Sequence, residues 1–78
     1  MTQDEALAWI AEVFEEPPGS LGPDTPRDDI PTWDSMGVLA LMAGMDERHG
    51  ILLTDADVMS MQSVNDILAV LRKHGKLD

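Results

Sequence analysis

The chain has 78 residues and carries 15 Asp and Glu against 5 Lys and Arg, a formal charge of −10, with 44% hydrophobic residues and no cysteine. That length describes one small domain, residues 1–78, with a folded surface of about 4,700 Å² against roughly 12,300 Å² unfolded, enough for one thin core and no deep enzyme cleft. The composition excludes a disulfide staple, a thiolate nucleophile and a Cys-type zinc site, while the charge disfavours nucleic acid and anionic membrane faces and favours basic protein surfaces.

Thr2-Gln3-Asp4-Glu5 has the form of a capping box, and Leu7, Ile10, Ala11 and Phe14 follow at helical spacing. The pattern predicts a first helix from about residue 3 to 15. All five prolines, Pro17, Pro18, Pro23, Pro26 and Pro31, then fall in one stretch with Gly19 and Gly22, so residues 16–34 are expected to form a long loop. A loop of this length in a small domain points to function. Leu21 and Ile30 are its expected anchors in the core, with Trp33 as a third.

Helical spacing returns with Met36, Leu39, Met42 and Ala43 on one stripe and Val38, Leu41 and Met45 beside it, and Gly50 is suited to close this second helix in the left-handed conformation. Ser35 sits where an N-cap belongs. Gly37 and Gly44 each cost about 1 kcal/mol relative to Ala inside a helix, which implies either a soft helix or a close approach to its backbone. Ile51-Leu52-Leu53 reads as a connector whose apolar side chains plug the core. Thr54-Asp55-Ala56-Asp57 starts a short third helix, and Ser63-Val64-Asn65-Asp66 starts a last one with Val64, Ile67, Leu68 and Leu71 at threes and fours, ending near His74-Gly75. The expected fold class is therefore all-α: a small antiparallel bundle of three main helices and one short helix, with a long loop between the first two. Trp9 and Trp33 are expected to cover core edges, and His49 and His74 to be exposed residues near helix ends.

Catalytic patterns are mostly missing. The glycines lack phosphate-loop or dinucleotide spacing, no GxSxG surrounds Ser35, the two histidines lack the spacing of a helical metal site, and Asp55-Ala56-Asp57 lacks the glycine and glutamate of a calcium loop. What remains is Trp33-Asp34-Ser35-Met36-Gly37 at the junction of loop and helix. A hydroxyl there with no base beside it is a poor nucleophile. Two roles stay open to it: a simple cap, or an attachment point for a phosphate, which the free N–H groups and dipole of a helix start stabilise.

Asp34-Ser35-Met36 at a helix start, the proline-bearing loop before it, the run Met45-Asp46-Glu47-Arg48-His49-Gly50-Ile51 and the later Ser63-Val64-Asn65-Asp66-Ile67 together resemble an acyl carrier protein, over nearly the whole chain to about His74. The resemblance implies that Ser35 is esterified with 4′-phosphopantetheine, whose thiol carries an acyl group as a thioester, with Asp34 before it and Met36 in the place of the usual leucine. Met for Leu keeps volume and apolarity. It implies a carrier and not an enzyme, whose partners are a phosphopantetheinyl transferase and acyl-transferring or acyl-activating enzymes with basic docking patches, met through Asp34, Asp46 and Glu47. Gly37 and Ala40 stand where many fatty-acid carriers have acids, which favours a specialised fatty-acid, polyketide or lipid pathway. An acyl pocket is expected among Val38, Leu39, Met42, Met45, Ile51, Met59 and Met61, since unbranched thioethers adapt to variable cavities. An aminoacyl or peptidyl carrier, or an acidic helical adaptor without a prosthetic group, are the alternatives. No apolar run approaches the ~20 residues of a membrane span, and a monomer in the cytoplasm is expected.

Overall fold

The computed structural model describes all residues, Met1–Asp78. Four helices follow one another: α1 (Gln3–Val13), α2 (Ser35–His49), α3 (Asp55–Ser60) and α4 (Val64–Lys73), and α1 packs against both α2 and α4. The surface is 4725 Å², which matches the scaling for a folded chain of this mass. Eighteen hydrophobic residues form the core and no polar or charged residue is buried with them, so folding rests on apolar packing.

The capping box read from the sequence forms at α1, and α3 forms one too. Thr2 Oγ1 accepts from the Glu5 N–H at 3.2 Å while the Glu5 carboxylate accepts from Thr2 N–H at 2.8 Å. Thr54 and Asp57 make the same reciprocal pair at 3.1 and 2.9 Å. At α4 the Asp66 carboxylate accepts from both Gln62 N–H (2.7 Å) and Ser63 N–H (3.2 Å). Each exchange satisfies backbone donors that the helix itself cannot. Val64, Ile67, Leu68 and Leu71 of α4 are all fully buried, the stripe that their spacing requires.

Three details differ from the sequence expectation. First, α1 ends at Val13 and not near residue 15, because Glu15 turns left-handed (φ 56°) and the Glu16 N–H reaches back to the Ala11 carbonyl at 2.8 Å. A glycine usually occupies that closing position. Second, the proline loop is tied down: a single 3-10 turn spans Arg27–Asp29, and Arg27 N–H to Gln62 O (2.8 Å) with Val64 N–H to Thr25 O (2.9 Å) pin it to the α3–α4 connection. Leu21, Ile30 and Trp33 are its buried anchors. Trp33 stacks on Phe14 with ring centroids 5.0 Å apart, and the Arg27 guanidinium lies 5.4 Å from the Trp33 ring centroid. Third, Ile51 and Leu53 plug the core as expected, but Leu52 between them is 77% exposed, as alternation along an extended segment dictates.

His49 is not an exposed end residue. It is half-buried, its ring edge-on to Trp9 at 4.7 Å, and its Nε2 is buried without a hydrogen-bond partner. Burial, and then the charges of Arg48, Lys76 and the amino terminus, hold its pKa below the ordinary 6.5. Below 6.5 the unfolded chain therefore binds more protons at this site than the folded one, so stability falls as pH drops through 6.5 and levels off beneath the lowered folded value. Urea unfolding between neutral pH and about pH 5.5 should show this slope in the natural chain and lose it in His49→Gln; a slope retained by the variant contradicts the assignment.

Candidate functional site

The site is built where the loop turns into α2. Asp34 has an extended backbone and is the N-cap: its Oδ1 accepts from Met36 N–H at 3.0 Å and Gly37 N–H at 3.1 Å, and its carbonyl accepts the first helical bond, from Val38 N–H, at 2.9 Å. Ser35 is thus the first residue inside the helix and not the cap, which corrects the reading of Ser35 as N-cap. Its side chain is exposed, and capping makes no demand on its hydroxyl. Aspartate is among the best capping residues, and a double acceptor contact at this position leaves nothing for the serine to satisfy.

This division of labour separates two substitutions. Asp34→Ala should cost about 1 kcal/mol through the lost cap, whereas Ser35→Ala should change stability by no more than about 0.5 kcal/mol. Paired thermal or urea unfolding checks it, and equal losses would mean that Ser35 shares the cap.

The start of α2 is held against the loop by Gly37. A Cβ built there would overlap the Thr32 carbonyl oxygen and lie 3.0 Å from the Thr32 carbonyl carbon and 3.2 Å from Phe14 Cδ1. The glycine signals a close approach, not a soft helix. Thr32 in turn donates its hydroxyl to the Phe14 carbonyl, the end of α1. Gly44 serves the other half of the same contact, since a Cβ there would meet Trp9 Cζ2 of α1 at 3.1 Å.

Beside Ser35 these elements enclose an open groove of about 330 Å³ between the end of α1 and the start of α2. It is lined by Val13, Thr32, Met36 and Ala40 together with the acidic residues Glu15 and Asp34. Apart from Asp34 and Met36, the sequence reading assigned none of these residues to the site.

The residues proposed for an acyl pocket are divided. Met45, Ile51 and Met61 lie in the core, and Val38 and Met42 are half-buried against it. Leu39 (60% exposed) and Met59 (79%) stand in solvent, as does Met36 (73%). Asp34, Asp46 and Glu47 are all exposed, but they do not form one cluster. At 1.5 Å rise per residue Asp46 lies about 16 Å along α2 from Ser35, and the exposed positions between them, Met36, Leu39, Ala40 and Ala43, are uncharged. No group of carboxylates and histidines in the structure has metal-site geometry, and no helix is long and apolar enough to cross a membrane.

No protein-family model matches the chain. Curated relatives do. The meromycolate extension acyl carrier protein of Mycobacterium tuberculosis is 27% identical over 77 residues, covering 94% of this chain and 67% of the relative. The protein of the same name from Mycolicibacterium smegmatis is 26% identical over 76 residues, 92% of this chain and 77% of the relative. An acyl carrier protein of Rhodococcus erythropolis is 25% identical over 76 residues, 92% and 84% of the two chains. Over almost its whole length, and with an all-helical architecture that has a long loop after the first helix, this chain is similar to acyl carrier proteins.

Proposed function

We propose that the protein carries acyl groups as thioesters on a 4′-phosphopantetheine arm attached to Ser35, in a dedicated lipid-building pathway. The observation that carries this reading is the freedom of the Ser35 hydroxyl: it is exposed at the first position of α2 while Asp34 performs the capping. Bound there, the group supplies a flexible tether ending in a thiol, which a chain without cysteine does not otherwise possess.

The chain's own residues prepare the attachment. Asp34 fixes the helix start, and Gly37 allows it to seat against Thr32. The first-turn dipole stabilises an anion on the serine oxygen. The Asp34 carboxylate is the acid closest in sequence to Ser35 and gives a transferase or its metal a charged foothold. Partners with basic patches would be met by Asp34 at one end of α2 and by Asp46 and Glu47 at the other, across the uncharged Met36, Leu39, Ala40 and Ala43. For an acyl chain, the interior set of Val38, Met42, Met45, Ile51 and Met61 offers the adaptable lining, reached if the helices part. The relatives' names point to extension of meromycolate chains, a specialised lipid pathway of the kind proposed here.

Incubation with coenzyme A and a phosphopantetheinyl transferase tests the reading by intact mass. The natural chain should gain one arm and Ser35→Ala none. An unmodified natural chain would instead favour an acidic helical adaptor.

A further inference from the structure

The groove between the end of α1 and the start of α2 opens beside the proposed attachment residue, and neither capping nor attachment accounts for it. Its volume of about 330 Å³ lies at the small end of the range for small-molecule sites. One feature shapes it directly: Gly37, by lacking a side chain, lets the Thr32 carbonyl close against α2. Glu15, whose left-handed backbone closes α1, lines it as well.

The chemistry of the walls narrows the occupant. The Glu15 and Asp34 carboxylates repel a phosphate or an acyl carboxylate but accept hydrogen bonds from amide N–H and hydroxyl groups. Thr32 spends its hydroxyl proton on the Phe14 carbonyl and keeps lone pairs for a donor. Val13, Met36 and Ala40 supply an apolar wall. A neutral chain of amides with a branched dimethyl carbon fits this mixture, and such a chain would be tethered a few bonds away, with Asp34 and Met36 both flanking Ser35 and lining the groove.

Resting on the attachment at Ser35 proposed above, we infer that the pantetheine part of the unacylated arm lies in this α1–α2 groove, against Val13, Met36 and Ala40 with Thr32 and Glu15 as its polar partners. The phosphate stays outside at the helix start. A short flexible tether gives an effective concentration in the millimolar range, so an intrinsic affinity of about 1 mM keeps the groove filled roughly half of the time. Binding this weak holds the thiol near the body between transfers and releases it readily to a partner.

The chain has no cysteine, so the arm's thiol is the one thiol available for labelling. A nitroxide coupled to it in the loaded protein should broaden the amide signals of Val13, Glu15 and Ala40 several-fold more than those of Val58 and Met59 in α3. In the unlabelled loaded protein, Val13, Glu15 and Thr32 amides should shift from their unloaded positions, and Ala40→Phe, which fills the groove, should return them toward those positions while intact mass still shows the arm. Equal or stronger broadening at α3, or shifts confined to Asp34–Gly37, overturns the groove while leaving the attachment intact. Absence of the added mass overturns both.

Discussion

Gly37→Ala should destabilise the fold by about 2 kcal/mol net, from an overpacking cost at the upper end of 1–3 kcal/mol set against about 1 kcal/mol of gained helix propensity. The added methyl meets the Thr32 backbone carbonyl, which cannot rotate away as a side chain could. Either the loop must lift from α2 or the helix start must move, and both shift Asp34 and Ser35. Gly44→Ala supplies the internal comparison. There the neighbour is the Trp9 ring at 3.1 Å, which has to yield by only a few tenths of an ångström, so the same propensity gain should leave stability within about 0.5 kcal/mol of the natural chain. Urea midpoints at unchanged slope decide the matter. Equal values for the two variants would mean that the loop does not press on α2 as described.

A larger loss is expected for Phe14→Ala, about 3–5 kcal/mol. Phe14 is the largest of the fully buried side chains, it stacks on Trp33, and its carbonyl takes the Thr32 hydroxyl. A domain of this size has a total stability of about 4–12 kcal/mol at typical per-residue values, so the variant should be close to unfolding at room temperature. Phe14→Leu fills more of the space and should cost far less, though it forfeits the aromatic stack, worth about 0.5–1.5 kcal/mol. Thermal unfolding followed by Trp fluorescence measures both, because Trp33 reports directly on its partner. Retention of full stability in Phe14→Ala would contradict the placement of this ring at the joint between α1, the loop and α2.

The helices were legible because their signals are local. The capping box at Thr2, the helix start at Thr54, the glycine at 50 and the threes-and-fours of α4 each depend on residues within one or two turns. The site was half legible. Asp34-Ser35 stood out, but which of the two caps is decided by one residue of helix register, finer than a periodic pattern resolves. The acyl-pocket expectation rested on the adaptability of methionine and on neighbouring apolar residues, a chemical argument that does not decide burial, and Leu39 of α2 and Met59 of α3 are both exposed. The groove was beyond reach because it joins Val13 and Glu15 to Thr32 and Ala40 across a proline-rich loop whose path is set by two long-range backbone bonds to Gln62 and from Val64. The burial of His49 likewise depends on α1 laying Trp9 across the end of α2.

Position-resolved fragmentation of the transferase-loaded protein tests the central claim most directly. The chain contains four serines, at positions 20, 35, 60 and 63, and Ser20, Ser35 and Ser60 are all exposed. The added phosphopantetheine mass should sit on Ser35 alone, the one serine that opens a long helix behind an aspartate cap. The mass on another serine, or no added mass at all, would contradict the account.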